Sequence, residues 1–291
     1  MDVPVATLPF ALQRPDRQTA PVVVASPHSG RDYPPEFIAA ARLDTLGLRR
    51  SEDSFVDELF STAPDYGIPL LAATFPRAFC DPNREPWELD PAMFEDELPS
   101  WVNTTSPRVC AGLGTIARLV ASGEMIYRDK LSFAEAERRV RSFWQPYHVT
   151  LTELIEQTRQ IFGAALLIDC HSMPAHGSSS RHSGQAADFV LGDAHGTACS
   201  PRVVRFVERS LAGLGYTVRR NDPYSGGYVT RHYGRPRENI HVLQIEVARG
   251  LYMDEVRIER IGRFLEVRQD LSLLLAGLTA EVSELLSCAA R

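Results

Sequence analysis

Ala165-Leu166-Leu167-Ile168 runs without a break into Asp169-Cys170-His171-Ser172. The first four residues show no polar alternation, so a strand made from them must be covered on both faces. Val22-Val23-Val24-Ala25-Ser26 behaves the same way, and it leads through Pro27 to His28-Ser29-Gly30. Val242–Val247 is a third such run, with Glu246 set between Ile245 and Val247. Strands of this kind belong to α/β folds with a buried sheet. Pro69–Thr74, Phe189-Val190-Leu191 and Tyr216–Arg219 are further candidate strands.

Helical patterns fall between these runs. One is expected to start at Ser51, with Glu52 and Asp53 in its first turn and Phe55, Val56, Leu59 and Phe60 as its apolar face. A second opens at the capping box Ser132-Phe133-Ala134-Glu135, is kinked or split at Pro146, and stops before Gly163. Arg202–Leu214 is a third, and an amphipathic tract from Glu255 onward is the last. The expected fold is therefore α/β, with a mixed, mainly parallel central sheet and helices on both faces. No repeat or linker divides the chain, so residues 1–291 are expected to form one domain. From Pro76 through Pro107 the chain holds six prolines, counting both ends, together with Phe79, Trp87, Phe94 and Trp101, the composition of an ordered excursion. A small-residue loop is expected over Ala175–Ala187.

Composition narrows the function classes. At 44% hydrophobic residues the chain can bury a sizeable core. A formal net charge of -6 argues against a nucleic-acid partner, which requires a basic surface. A local arginine cluster can still receive a small anionic substrate. No apolar stretch approaches the roughly 20 residues of a membrane span. The N-terminus lacks a basic start followed by an apolar region. The five cysteines, Cys80, Cys110, Cys170, Cys199 and Cys288, form no CxxC pair. Reduced thiols and a cytoplasmic location follow as expectations. A homo-oligomer is compatible with these values.

Ligand sites in open α/β sheets gather at the carboxyl ends of strands. Here those positions carry His28, Asp81, His171 and Asp193, with Glu246 near the end of the last strand. Asp169 and His171 are two apart and share a face in extended chain, so Asp169 can orient the ring. Catalytic zinc takes three protein ligands and keeps one open position. After the first strand, Glu52 and Asp53 are both candidates for a carboxylate ligand. A carboxylate at Glu246 must be bound, paired or functional, because an isolated buried charge is too costly. It suits a general base, and an ion pair with Arg249 is the structural alternative. Asn83-Arg84 offers two-pronged carboxylate recognition. Arg231 and His232 follow the Gly226-Gly227 turn as a movable wall.

Seven segments in order carry a resemblance. They are Pro27-His28-Ser29-Gly30, Glu52 through Asp57, Asp81-Pro82-Asn83-Arg84, Asp169-Cys170-His171-Ser172, Asp188 through Gly192, Gly226 through Gly234 and Gln244-Ile245-Glu246. Together the chain resembles the N-formylglutamate amidohydrolases, enzymes of histidine breakdown related to the zinc exopeptidases and deacylases. The resemblance implies one zinc ion on His28, Asp53 and His171, with Asp53 rather than Glu52 as the acid. It implies Glu246 as base and Asn83 and Arg84 as the residues that bind the substrate carboxylate. In the mechanism that follows as an expectation, Arg84 with substrate-binding Arg231 or catalytic His232 stabilises charge on the substrate or on the tetrahedral oxyanion. The implied reaction is hydrolysis of N-formyl-L-glutamate to formate and L-glutamate. Pro82 stands where the family commonly has leucine, which stiffens the backbone beside Asn83. Three rivals are weighed against this reading. One is a zinc deacylase or carboxypeptidase-like hydrolase acting on another N-acyl amino acid. A second is a cysteine amidase using Cys170, although Cys170 and His171 point to opposite faces of a strand. The third is a non-catalytic binder of acidic amino acids.

Overall fold

The computed structural model describes residues 8–175 and 186–287. Its strands are β1 (Phe10–Gln13), β2 (Val22–Ser26), β3 (Leu70–Ala73), β4 (Ala165–Met173), β5 (Phe189–Gly192), β6 (Val218–Arg220) and β7 (Ile240–Ala248). Among the described residues these form one seven-stranded sheet in the order β1-β3-β2-β4-β7-β5-β6. β3, β2, β4 and β7 are parallel neighbours. β1 runs antiparallel to β3, and β5 antiparallel to β7. The sheet is thus mixed and mainly parallel, as the apolar runs require. A short hairpin, β8 (Met253–Asp254) with β9 (Glu259–Arg260), stands apart from it.

The helices are α1 (Pro35–Ala40), α2 (Thr45–Arg49), α3 (Val56–Leu59), α4 (Pro107–Cys110), α5 (Phe133–Arg139), α6 (Gln145–Phe162), α7 (Pro201–Gly213), α8 (Tyr228–Tyr233) and α9 (Phe264–Ser287). They cover both faces of the sheet. On one face α3, α7 and α9 pack against Val22, Val24, Ile168 and Ile245. α9 turns Val267, Leu271, Leu274, Leu278 and Val282 inward at helical spacing. On the other face α1, α5 and α6 pack against Val23, Ala25, Leu167 and Val242.

Four elements differ from expectation. Ser51–Ser54 are turn residues rather than the start of a helix. Phe55 is left-handed (φ 68°), so α3 begins only at Val56. The C-terminal helix starts at Phe264, because the small hairpin uses the residues after Glu255 that were expected to be helical. Ser132 caps α5 through the Glu135 amide, but the Glu135 carboxylate goes to Arg138 and Arg139 instead of closing the box. Pro146 neither splits nor stops the helix. One π-turn over Val140–Trp144 joins α5 to α6 and absorbs the missing proline N–H. The small-residue loop expected over Ala175–Ala187 lies largely outside the described residues. No described helix is long and apolar enough to cross a membrane.

Candidate active site

The register of β4 against β7 lays out the site. His171 stands opposite Glu246, and Asp169 opposite Gln244. On one face of these strands, Leu166, Ile168 and Cys170 join Leu243, Ile245 and Val247 in an apolar core. On the other face, Ala165, Leu167, Ile240 and Val242 begin an apolar pattern. Asp169, His171, Gln244 and Glu246 then replace it toward the carboxyl ends, all buried. Cys170 faces the first core, where burial pushes its thiol far above the usual range. The thiol lies on the face of β4 opposite His171 and away from the cavity, so the two residues do not form a nucleophile–base pair.

His28 follows β2 through a turn that requires glycine, since a Cβ on Gly30 would collide with the Phe75 carbonyl oxygen. His28 Nε2 lies 2.8 Å from Asp81 Oδ1. Arg77 donates to the other Asp81 oxygen at 2.7 Å. His171 Nε2 lies 3.1 Å from Asp169 Oδ1, the neighbour anticipated from their spacing, and 3.1 Å from Asn83 Nδ2, its hydrogen-bond partner here. At His28 the Asp81 carboxylate keeps Nε2 protonated and leaves the Nδ1 lone pair available. Both Nδ1 atoms converge on Asp53 Oδ2, at 3.3 Å from His28 and 3.0 Å from His171. Asp53 Oδ1 points away and accepts from Ser172 Oγ (3.1 Å) and Arg249 Nη2 (3.0 Å).

This trio fits a divalent cation. The three donor atoms lie within 4.8 Å of one another. A tetrahedral zinc with bonds of about 2.0–2.1 Å places its ligands about 3.3 Å apart. His28 Nδ1 is buried without a hydrogen-bond partner, as a ligand atom waiting for a cation would be. Burial disfavours charge on His171, yet Asp169, Asp53 and Glu246 hold its pKa well above the ordinary value. The carboxylates here demand a positive charge. Burial likewise opposes charge on Asp53, but His171 and His28 keep its carboxyl well below the usual range.

Glu52 is excluded from the trio by its own bonds. Its carboxylate accepts from Tyr33 Oη (2.7 Å), Ser54 Oγ (2.7 Å) and Arg49 Nε (3.1 Å). Asp53 is instead pinned toward the strands by its N–H, which donates to the His28 carbonyl at 3.0 Å. Arg249 does not pair with Glu246, the sequence-adjacent partner. A 3₁₀ turn over Arg249–Leu251 swings its guanidinium to Asp53, Ser172 Oγ and the Glu52 carbonyl. Glu246 Oε1 accepts from Gln244 Nε2 at 2.8 Å. Burial, reinforced by Asp53 and Asp169 and opposed by His171, pushes the Glu246 carboxyl up to about 7.

These groups face a cavity of about 390 Å³. Asn83, Arg84 and Arg231 line it too. The Asp81–Arg84 segment is held from behind, with the Pro82 carbonyl 2.8 Å from His148 Nε2 and the Arg84 carbonyl 3.0 Å from Trp144 Nε1. The stiff Pro82 backbone thus has its own anchor. Val229 N–H donates to Asn83 Oδ1 at 2.8 Å, and a Cβ on Gly227 would strike the Asn83 amide. Burial pulls the Arg84 pKa down to about 10. His232 does not line this cavity. It stacks on Tyr228 (ring centroids 4.8 Å apart) beside an adjoining depression of about 340 Å³. Arg77, Arg108, Arg249 and Gln244 line the cavity and were not singled out as site residues from sequence. Only Arg77, four residues before Asp81, carried a local signal of its partner.

Comparison with known proteins agrees with this geometry. A family model described as N-formylglutamate amidohydrolase matches residues 20–253. An N-formylglutamate deformylase of Pseudomonas putida is 29% identical over 238 residues, 81% of this chain and 82% of that protein. Its counterpart from Pseudomonas aeruginosa is 30% identical over 243 residues, 82% and 84% of the two chains. The crystal structure of an N-formylglutamate amidohydrolase from Ralstonia eutropha JMP134 superposes with a TM-score of 0.90 at 41% identity, covering 96% of this chain and 99% of that one. A gene product of Agrobacterium tumefaciens shares the fold at a TM-score of 0.61 and 17% identity, over 97% and 95% of the chains. With its ordered motifs gathered around one cavity and a family model spanning most of its length, the chain belongs to the N-formylglutamate amidohydrolase family.

Proposed function

We propose that this protein hydrolyses the amide bond of an N-formyl amino acid, foremost N-formyl-L-glutamate, to formate and L-glutamate. His28, Asp53 and His171 hold one divalent cation, and two imidazoles with one carboxylate are a donor set that suits zinc. The observation that carries this reading is the convergence of both Nδ1 atoms on Asp53 Oδ2, each ring backed by a buried carboxylate. When bound, such a cation polarises the formyl oxygen and acidifies a water.

The chain's own groups do the rest. Glu246 faces the cavity across the register from His171. It removes a proton from the attacking water as the oxygen bonds to the formyl carbon. It returns that proton to the amine nitrogen as the carbon–nitrogen bond breaks. A carboxyl near neutrality is matched to both transfers. Arg84 and Asn83 bind the substrate α-carboxylate and orient the amide. Arg231 adds positive charge from the rim.

The test combines metal analysis of the purified protein with a formate-release assay on N-formyl-L-glutamate, beside N-acetyl and N-succinyl glutamate. The expected result is about one zinc per chain and turnover greatest on the formyl compound. A protein that takes up no zinc and releases no formate after zinc addition would be a binder rather than an enzyme.

A further inference from the structure

The cavity carries more positive charge than one carboxylate and one cation site need. Five arginines line it, Arg77, Arg84, Arg108, Arg231 and Arg249, against the three carboxylates Asp53, Asp81 and Glu246. The chain as a whole is at -6, so this excess is local.

The five arginines divide by what their donors already do. Arg249 is occupied by Asp53, Ser172 and the Glu52 carbonyl. Arg77 is part-buried and spent on Asp81. Arg84 gives Nε to the Leu113 carbonyl and Nη1 to the Asn83 carbonyl, while its Nη2 is 3.7 Å from Asp81. That leaves Arg84 open for one carboxylate. Arg108 stands apart, since among the described residues no hydrogen bond or ion pair of its guanidinium is found. It lies close enough to Arg84 to disfavour the charge on that guanidinium. Its backbone is tied to the same point, because Leu113 donates to the Arg108 carbonyl (2.8 Å) and accepts from Arg84 Nε (2.8 Å). Arg231 spends Nη1 on the Gly226 carbonyl and keeps its remaining donors. Arg108 and Arg231 line both the cavity and the adjoining depression, so they flank the boundary between the two.

We infer that Arg108 and Arg231 form a second carboxylate subsite at the cavity mouth, which selects N-acyl amino acids with an acidic side chain. Arg84 holds the α-carboxylate at depth, and the mouth pair receives the side-chain carboxylate. Glu85 and Glu88 line the depression beside them, but neither forms an ion pair with Arg108 or Arg231, so both guanidiniums keep donors for an anion and favour a carboxylate over its uncharged isostere. The inference rests on the proposed hydrolase reading for which carboxylate goes where, but its selectivity can be measured without turnover.

The experiment compares N-formyl-L-glutamate with N-formyl-L-glutamine, the same shape without the charge, in the zinc-loaded wild type and in Arg108→Gln, Arg231→Gln and the double variant. Calorimetric binding of L-glutamate and L-glutamine to the same four proteins runs alongside. A charge-assisted pair predicts that wild type favours the glutamate compounds by about 10- to 100-fold. In the double variant that ratio is expected to fall to within about threefold of unity, mostly through KM and Kd, with zinc content retained. Arg108→Lys, which keeps the charge but not the fork, should recover part of the ratio. Equal preference in wild type and double variant, or equal losses on both compounds, overturns the subsite. Selective glutamate binding with no hydrolysis of either formyl compound would instead sink the hydrolase reading and leave the subsite standing.

Discussion

Replacing Glu246 with glutamine separates a catalytic from a structural role, because the two predict opposite signs of stability. Glutamine keeps the shape, and its carbonyl can still accept from Gln244 Nε2. It cannot shuttle a proton. Loss of a general base costs about 10²- to 10⁴-fold in kcat, or roughly 3–5 kcal/mol at 1.36 kcal/mol per tenfold. The stability side follows from the same carboxyl. Burial raises it from 4.5 to about 7 in the folded protein. Between those values the native state holds a proton that the unfolded chain has released, so stability falls as pH rises. Above about pH 7 the full penalty is present, on the order of 3 kcal/mol in the metal-free protein. Glutamine removes it. Metal-free Glu246→Gln should therefore unfold at higher urea than wild type at pH 8, and the gap should close toward pH 4.5. Zinc stoichiometry should be unchanged, because the ligands are untouched. In the wild type, kcat/KM should fall on the acid side as Glu246 protonates, with an apparent pKa below about 7 because a bound cation favours the charged form. Urea titrations at the two pH values and formate release at saturating substrate provide the readouts. A variant that is less stable at pH 8, or keeps more than about a tenth of kcat, would falsify the general-base assignment.

Asp169→Asn leaves all three proposed ligands in place but loosens the hold on His171 Nε2. It should weaken zinc about 10- to 100-fold in a chelator competition, and an unchanged affinity would remove Asp169 from the site. Gly227→Ala drives a methyl group into the Asn83 amide. KM for N-formyl-L-glutamate should rise about tenfold or more while zinc content stays the same, as expected when a positioning group is displaced. His148→Phe keeps the stack on Trp144 but removes the bonds to the Pro82 carbonyl and the Tyr233 hydroxyl. The loss at pH 8 should be about 1–3 kcal/mol. Burial depresses the His148 pKa from 6.5 to about 3. The wild type therefore gives up stability as pH falls below about 6.5, and the phenylalanine variant does not. Urea unfolding should show the difference between the two proteins shrinking from pH 8 to pH 5.

What could be read from sequence, and what could not, divides along the reach of local physics. β4 and β7 were legible because a run such as Leu166–Ile168 has no stable place except a doubly covered sheet. The same logic made Asp169, His171 and Glu246 conspicuous, since charged groups do not continue a buried run without a task. Asp53 was harder. The spacing of Phe55, Val56, Leu59 and Phe60 suggests a helix that would put acids at its positive end, yet the left-handed Phe55 breaks that helix after the acids have been placed. The choice of Asp53 over Glu52 became physical only when Tyr33, Arg49 and Ser54 were seen to occupy the neighbouring carboxylate. Arg49 and Ser54 are close in sequence, but Tyr33 is brought to Glu52 by the fold. β1 escaped because a four-residue edge strand with alternating exposure leaves almost no signal.

The arginines show the limit most clearly. Arg77, Arg84, Arg108, Arg231 and Arg249 come from four stretches of chain, and each taken alone has the profile of a solvated surface charge. Their meaning depends on which acids reach them. Asp53 and Asp81 satisfy Arg249 and Arg77, because those acids must themselves be neutralised beside the two histidines. Glu246 is turned inward to Gln244 and is unavailable to any of the five. The acids proposed to bind a cation and move a proton thus leave Arg108 and Arg231 without an ion pair, although Glu85 and Glu88 line the depression beside them. An anionic substrate would complete that balance, so the proposed catalysis and the proposed substrate choice follow from one arrangement.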